Sequence, residues 1–205
     1  MNRNLGILIS GRGSNLQAIM DAIAAGTLDA RIALVISNRA DAAGLERARS
    51  AGIETLYLSH RAVASREDYD RALVAALTAR GVGLVCLAGF MRLLSPAFIE
   101  AFPNAVLNIH PALLPAFPGL DAQHQAWQHG VKISGATVHL VTPELDAGPI
   151  VVQAAVPVLD GDTADDVAAR ILREEHRLYP EAIRIVLGGG WRVEGRRFVR
   201  GSPAR

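Results

Sequence analysis

Apolar residues in the first half of the chain come in short unbroken runs, each followed by a stretch with helical spacing. Leu5-Gly-Ile-Leu-Ile-Ser10, Arg31-Ile-Ala-Leu-Val-Ile-Ser37, Thr55-Leu-Tyr-Leu58, Val82 to Ala88 and Val106 to Ile109 are such runs. Runs of this length without alternation suit strands buried on both faces. Between them lie amphipathic segments. Ser14 to Ala25 sets Leu16, Ile19, Met20 and Ile23 on one stripe and stops at Gly26. Asp41 to Ala51 stops at Gly52, and Ser65 with Asp68 resembles a capping box for a helix ending at Arg80-Gly81. Ser95-Pro96 reads as the N-cap and first turn of a short helix.

Beyond Pro111 the pattern changes. Residues 111–130 read as loop and short helix, and two longer strand patterns follow at 136–141 and 149–158. Thr163 caps a last helix with Asp165 and Asp166 in its first turn, where they suit the helix dipole. Pro180 predicts a kink or break in that helix. The fold class predicted is α/β: a mostly parallel twisted sheet flanked by helices, Rossmann-like, with antiparallel strands in the C-terminal half. Residues 1–190 read as a single domain, and 191–205 as a short hairpin around Glu194-Gly195 followed by a loose tail.

Composition narrows the function classes. Half of the 205 residues are hydrophobic, yet no apolar stretch reaches spanning length, and no signal-peptide pattern precedes the first strand. A cytoplasmic protein without a membrane partner is expected. The single cysteine, Cys86, lies inside an apolar run and reads as a buried structural thiol. Six histidines show no metal-ligand spacing, so no metal is expected. A net charge of +1 argues against a nucleic-acid surface driven by charge.

Three segments carry candidate chemistry. The run Val106-Leu-Asn-Ile-His-Pro111 ends a strand with Asn108 and His110 two apart, hence on one face. An amide that can hydrogen-bond a carbonyl oxygen, beside an imidazole that titrates near neutrality, suits chemistry at an acyl carbon. Read alone, the segment is equally a capped strand whose polar residues satisfy turn backbone. Asp146 lies in the loop Thr142-Pro-Glu-Leu-Asp-Ala-Gly-Pro149. A carboxylate buried beside the imidazole would fix its tautomer and raise its pKa, whereas alone a loop Asp is a turn former. Gly11-Arg-Gly-Ser-Asn15 joins the first strand to the first helix, which makes either an anion site or a tight turn. It is not a dinucleotide fingerprint: Leu16 stands where a third glycine belongs, and the second strand ends in Asn38-Arg39 rather than an acid. A monophosphate fits better.

Four motifs, Ile9-Ser-Gly-Arg-Gly-Ser-Asn-Leu-Gln17, Ala88-Gly-Phe-Met-Arg-Leu-Leu94, Leu107-Asn-Ile-His-Pro111 with Leu113-Leu-Pro115, and Glu144-Leu-Asp-Ala-Gly-Pro149, stand in the order and spacing of a known family. From about residue 5 to about residue 187 the chain resembles the folate-dependent phosphoribosylglycinamide formyltransferases. The resemblance implies transfer of the formyl group of 10-formyltetrahydrofolate, a co-substrate, to the amine of glycinamide ribonucleotide in purine synthesis. It implies that Asn108 and protonated His110 stabilise a tetrahedral oxyanion and that Asp146 supports His110. By the same resemblance Gly13, Ser14 and Asn15 hold the ribonucleotide phosphate, and Leu172, Arg173, Glu174 and Glu175 contact the same substrate. The folate lies against Met91, Arg92, Leu93 and Leu94, Asn108, and the loop of Thr142, Pro143, Glu144, Leu145 and Asp146, with Arg66 near its tail.

Each carried-over residue has a plainer reading. The apolar residues after Gly89 could cap the core, and Arg66 and Glu175 could be solvated helix charges. His139, on a strand, is assigned no chemistry, and neither is His124, which stands in Asp121-Ala-Gln-His124 where the family pattern is departed from. The partners implied are small molecules, the protein being a monomer or homodimer. Three alternatives remain: a 10-formyltetrahydrofolate hydrolase, which would not need the Gly-Ser-Asn loop; a transferase acting on charged tRNA, whose relatives carry a further basic C-terminal domain; and a mononucleotide-binding module, which would not need Asn108, His110 and Asp146 together.

Overall fold

The buried runs of the first half become strands β1 (Asn4–Ile9), β2 (Arg31–Ser37), β3 (Thr55–Tyr57), β4 (Leu84–Leu87) and β5 (Val106–His110) in a computed structural model that describes residues 2–201. They pair in parallel in the order β3-β2-β1-β4-β5. Between them run helices α1 (Ser14–Ala24), α2 (Ala43–Ser50), α3 (Arg66–Thr78) and α4 (Pro96–Ala101). Ile7, Leu8, Ile9, Leu34, Ile36, Leu84 and Val85 are fully buried, as strands covered on both faces require. Cys86 is a buried free thiol. The Ser65 hydroxyl caps α3 by accepting the Asp68 N–H at 3.0 Å.

The order places β1 beside β4 although β2 and β3 lie between them in sequence, so the direction of winding reverses there. Ligands of open parallel sheets bind outside the carboxyl ends of the strands at such a reversal. The segments leaving those two ends are Ser10–Asn15 and Gly89–Leu94.

The chain divides into two compact units, one reaching Asn108 and the other beginning at Ile109. In the second, α5 (Ala122–His129) precedes β6 (Ile133–Leu140) and β7 (Ile150–Pro157), an antiparallel pair. After α6 (Ala164–Gly188) come β8 (Trp191–Glu194) and β9 (Arg197–Arg200), the predicted hairpin, turning at Gly195. β9 also pairs in parallel with β7. The tail expected beyond it lies mostly outside the described residues. The fold class is α/β, parallel strands first and antiparallel strands toward the C-terminus, as the hydrophobic pattern predicts.

Of the kink or break expected at Pro180, the break does not occur: α6 runs 25 residues from a full capping box of Thr163 and Asp166. Proline removes one N–H from the ladder and crowds the preceding turn, at a cost of about 3 kcal/mol. Against this stands a stripe of buried side chains on both sides of the proline: Val167, Ile171, Leu178, Tyr179, Ala182, Ile183 and Val186. At about 1.5–3 kcal/mol for each large apolar side chain, that burial outweighs the local loss. Among the described residues no helix is long and apolar enough to cross a membrane.

Candidate active site

The turn after β1 is built for close backbone approach. Gly13, the N-cap of α1, adopts a left-handed φ of 72° and provides no capping side chain. The first-turn N–H groups therefore meet no cap from their own N-cap residue, the arrangement that favours an anion at a helix start. Ser14 is half-buried and Asn15 buried. α2 presses on the same turn: Gly44 N–H donates to Gly11 O at 3.0 Å and Arg47 Nε donates to Arg12 O at 3.0 Å.

Ser10 joins this turn to the segment after β4. Its N–H donates to Gly89 O at 3.0 Å, its hydroxyl donates to Asn38 Oδ1 at 2.6 Å, and that hydroxyl accepts the Met91 N–H at 2.9 Å. Asn38, read in the sequence only as the missing ribose acid, thus acts as an acceptor that orients Ser10. Beyond Met91 the apolar residues divide. Phe90 is buried and Leu94 half-buried, but Met91 is 64% exposed and Leu93 57%. Core capping therefore does not explain Met91 or Leu93. The Arg92 guanidinium lies over the Tyr69 ring, 5.3 Å from its centroid. Burial pushes the Tyr69 hydroxyl up to about 12, against the opposing charge of Arg92. Arg66, the first residue of α3, is exposed.

β5 ends with half-buried Asn108 and buried His110 two positions apart, so the pleat directs both to one side of the strand. In the second unit His110 Nδ1 lies 3.5 Å from Asp146 Oδ2, the predicted pairing of imidazole and carboxylate. Its Nε2 donates to Phe117 O at 2.8 Å. The loop bearing that carbonyl is tied down by Thr137 on β6. Thr137 Oγ1 donates to Ala112 O at 2.6 Å and accepts the Leu114 N–H at 3.1 Å, and Gln153 Nε2 donates to Leu114 O at 2.9 Å. Asp146 has a left-handed φ of 47°. Its Oδ2 accepts the Gly119 N–H at 2.8 Å. Gly148 packs so closely on the Leu140 carbonyl that any Cβ there would collide with it.

The electrostatics correct one expectation. The His110 pKa is lowered, not raised: burial disfavours the imidazolium more than the Phe117 carbonyl and Asp146 favour it, and His139 lowers it further. Burial also pushes Asp146 upward. There the contacts with His139 and the Gly119 N–H, and the two imidazoles, prevail and hold the carboxyl below its ordinary value.

His139 is the residue that sequence reasoning missed. Its Nε2 lies 3.6 Å from Asp146 Oδ1. The signal was a buried-strand histidine close in sequence to Asp146, on a strand whose other polar side chains, Ser134 and Thr137, carry no charge. Glu175 is 6% exposed on α6 and so is not the solvated charge of the plainer reading. Leu172 and Glu174 are half-buried beside it, and Arg173 is exposed. Thr142 is half-buried and Pro143, Glu144 and Leu145 are exposed on the Asp146 loop. His124 is exposed on α5, its ring 5.8 Å from that of Trp127.

Residues 3–183 match the formyl transferase family. The chain is 49% identical over 193 residues to the phosphoribosylglycinamide formyltransferase of Escherichia coli (strain K12), an alignment covering 94% of this chain and 88% of that one. Among solved structures, glycinamide ribonucleotide transformylase 1 from Symbiobacterium toebii superposes with a TM-score of 0.96 at 57% identity, over 98% of this chain and 95% of the other. A formyltetrahydrofolate deformylase from Pseudomonas syringae pv. tomato str. DC3000 is more distant: 27% identical, TM-score 0.89, with 98% of this chain covering 67% of that one.

Proposed function

The chain belongs to the formyl transferase family, and on that premise we propose that it moves the formyl group of 10-formyltetrahydrofolate onto the amine of glycinamide ribonucleotide. The observation that carries the reading is the His110–Asp146 pair, 3.5 Å apart, with Asn108 two residues before His110 on the same strand.

The substrate supplies the nucleophile, so no nucleophilic side chain is required. The amine nitrogen attacks the formyl carbon, a C–N bond forms, and the carbonyl electron pair moves onto oxygen. The Asn108 amide and the His110 ring N–H donate to that oxyanion. Collapse breaks the bond to the folate nitrogen, which leaves with the proton the amine gives up, His110 relaying it. His110 Nε2 exchanges the Phe117 carbonyl for the formyl oxygen on the way. A lowered His110 pKa suits this role. The ring resists charge until the oxyanion develops beside it, so its stabilisation is greatest in the transition state. Once protonated it is a stronger acid toward the leaving nitrogen.

The first-turn amides with Gly13, Ser14 and Asn15 take the ribonucleotide phosphate. Glu175, with Leu172, Arg173 and Glu174, takes another part of that substrate. Exposed Met91 and Leu93, with Arg92 and Leu94, offer apolar surface to the pterin; Thr142, Pro143, Glu144, Leu145 and Asp146 offer backbone to the folate; and Arg66 serves the folate tail. The test is product identity: N-formylglycinamide ribonucleotide formed one for one with released tetrahydrofolate supports the transfer, and free formate in its place refutes it.

A further inference from the structure

Each of the two imidazoles at Asp146 sets one nitrogen on a backbone carbonyl. His110 Nε2 faces Phe117 O at 2.8 Å, and His139 Nδ1 faces Leu140 O at 3.0 Å. The remaining nitrogens, His110 Nδ1 and His139 Nε2, point at the two oxygens of one carboxylate, at 3.5 Å and 3.6 Å. One imidazole nitrogen thus faces each oxygen of the Asp146 carboxylate.

β6 and β7 slip register opposite His139: Val138 pairs with Val152 and His139 with Ile150, which leaves Val151 of β7 as the extra residue. Irregularities of this kind are common beside active sites. The two carboxylate oxygens are held differently. Oδ2 receives the Gly119 N–H and faces His110, while Oδ1 faces His139. Rotation about the Cβ–Cγ bond of Asp146 would take Oδ2 away from His110, and the His139 ring opposes that rotation.

We propose that His139 is a positioning residue of the transfer reaction: it fixes Asp146 through Oδ1 so that Oδ2 stays on His110. This rests on the function proposed above. His139 touches neither substrate nor folate in this account and acts through Asp146.

The test compares His139→Asn with His139→Gln, alone and with Asp146→Asn. The Asn amide nitrogen reaches where Nδ1 stands and serves the Leu140 carbonyl. The Gln amide nitrogen reaches where Nε2 stands and faces Asp146. His139→Asn is expected to lower kcat by about tenfold or more, in the range seen when a supporting partner of an active-site ligand is lost. The ribonucleotide KM should stay within about twofold, because ground-state binding is untouched. His139→Gln should recover most of the loss. In the Asp146→Asn background, His139→Asn should add less than about twofold, as expected for residues acting through one group. Equal losses in the Asn and Gln variants, or losses that multiply with Asp146→Asn, would overturn the proposal, as would a Gln variant that does not fold. A native kcat in Asp146→Asn alone would instead sink the parent reading, and this one with it.

Discussion

Gly13 and Gly44 meet backbone against backbone: a Cβ on Gly13 would lie 2.7 Å from the Gly44 Cα. Gly13 is further restricted by its left-handed φ of 72°. Gly44 has no such restriction, so it is the cleaner probe. A Cβ there would approach Ile9 Cδ1 to 2.5 Å and Gly13 Cα to 3.1 Å. Ile9 can give way; the turn beneath cannot do so without moving its amides. Gly44→Ala should therefore raise the ribonucleotide KM by about tenfold, roughly 1.4 kcal/mol of lost binding, with little change in kcat. Steady-state kinetics at varied ribonucleotide decides it, and an unchanged KM would show that the turn is not the phosphate site.

The roles proposed for Asn108, His110 and Asp146 separate chemistry from binding. Replacing any one with Ala should lower kcat by about a hundredfold or more, the usual loss for an oxyanion donor or its support. The ribonucleotide should still bind with near-native affinity, measured by calorimetry. Any of the three variants turning over at close to the native rate would remove that residue from the mechanism.

Acid should destabilise the protein through His110. Its folded pKa lies below the ordinary value of about 6.5, so between the two the unfolded chain holds more protons than the folded one. Stability is thus full above about 6.5 and falls as pH drops toward the folded pKa. His60 is lowered as well, by burial first and then by Arg92 and Arg61, and adds in the same sense. Asp146 is lowered from the carboxylate range, so its contribution persists above about 3.9 and is lost only at more acid pH. Melting temperatures from pH 7.5 to pH 5 should decline less steeply in His110→Asn than in the native protein, without becoming flat. Parallel declines would contradict the assignment.

Much of this was legible in the chain because the signals are local. Unbroken apolar runs ending at Ser10, Ser37 and Ala88 announce buried parallel strands, and the two-residue spacing of Asn108 and His110 announces a shared face. What stayed hidden depends on tertiary context. Pro180 reads as a break because local propensity cannot weigh the buried stripe on either side of it. The direction of the His110 pKa follows from how deeply the ring is buried, which outweighs the nearby carboxylate. His139 was invisible as a partner of Asp146 because the contact depends on how the loop after β6 folds back on that strand. The link from Ser10 to Met91 spans 81 residues and leaves no trace in the spacing of either motif.

The central claim is that formyl release depends on the amine substrate. A transferase gains by holding an amine against the formyl carbon and excluding water. The direct measurement follows loss of 10-formyltetrahydrofolate with protein alone and after adding glycinamide ribonucleotide. The account predicts slow loss without the ribonucleotide and a rise of orders of magnitude on its addition. Rapid loss with protein alone, unchanged by the ribonucleotide, would contradict it and make the protein a hydrolase.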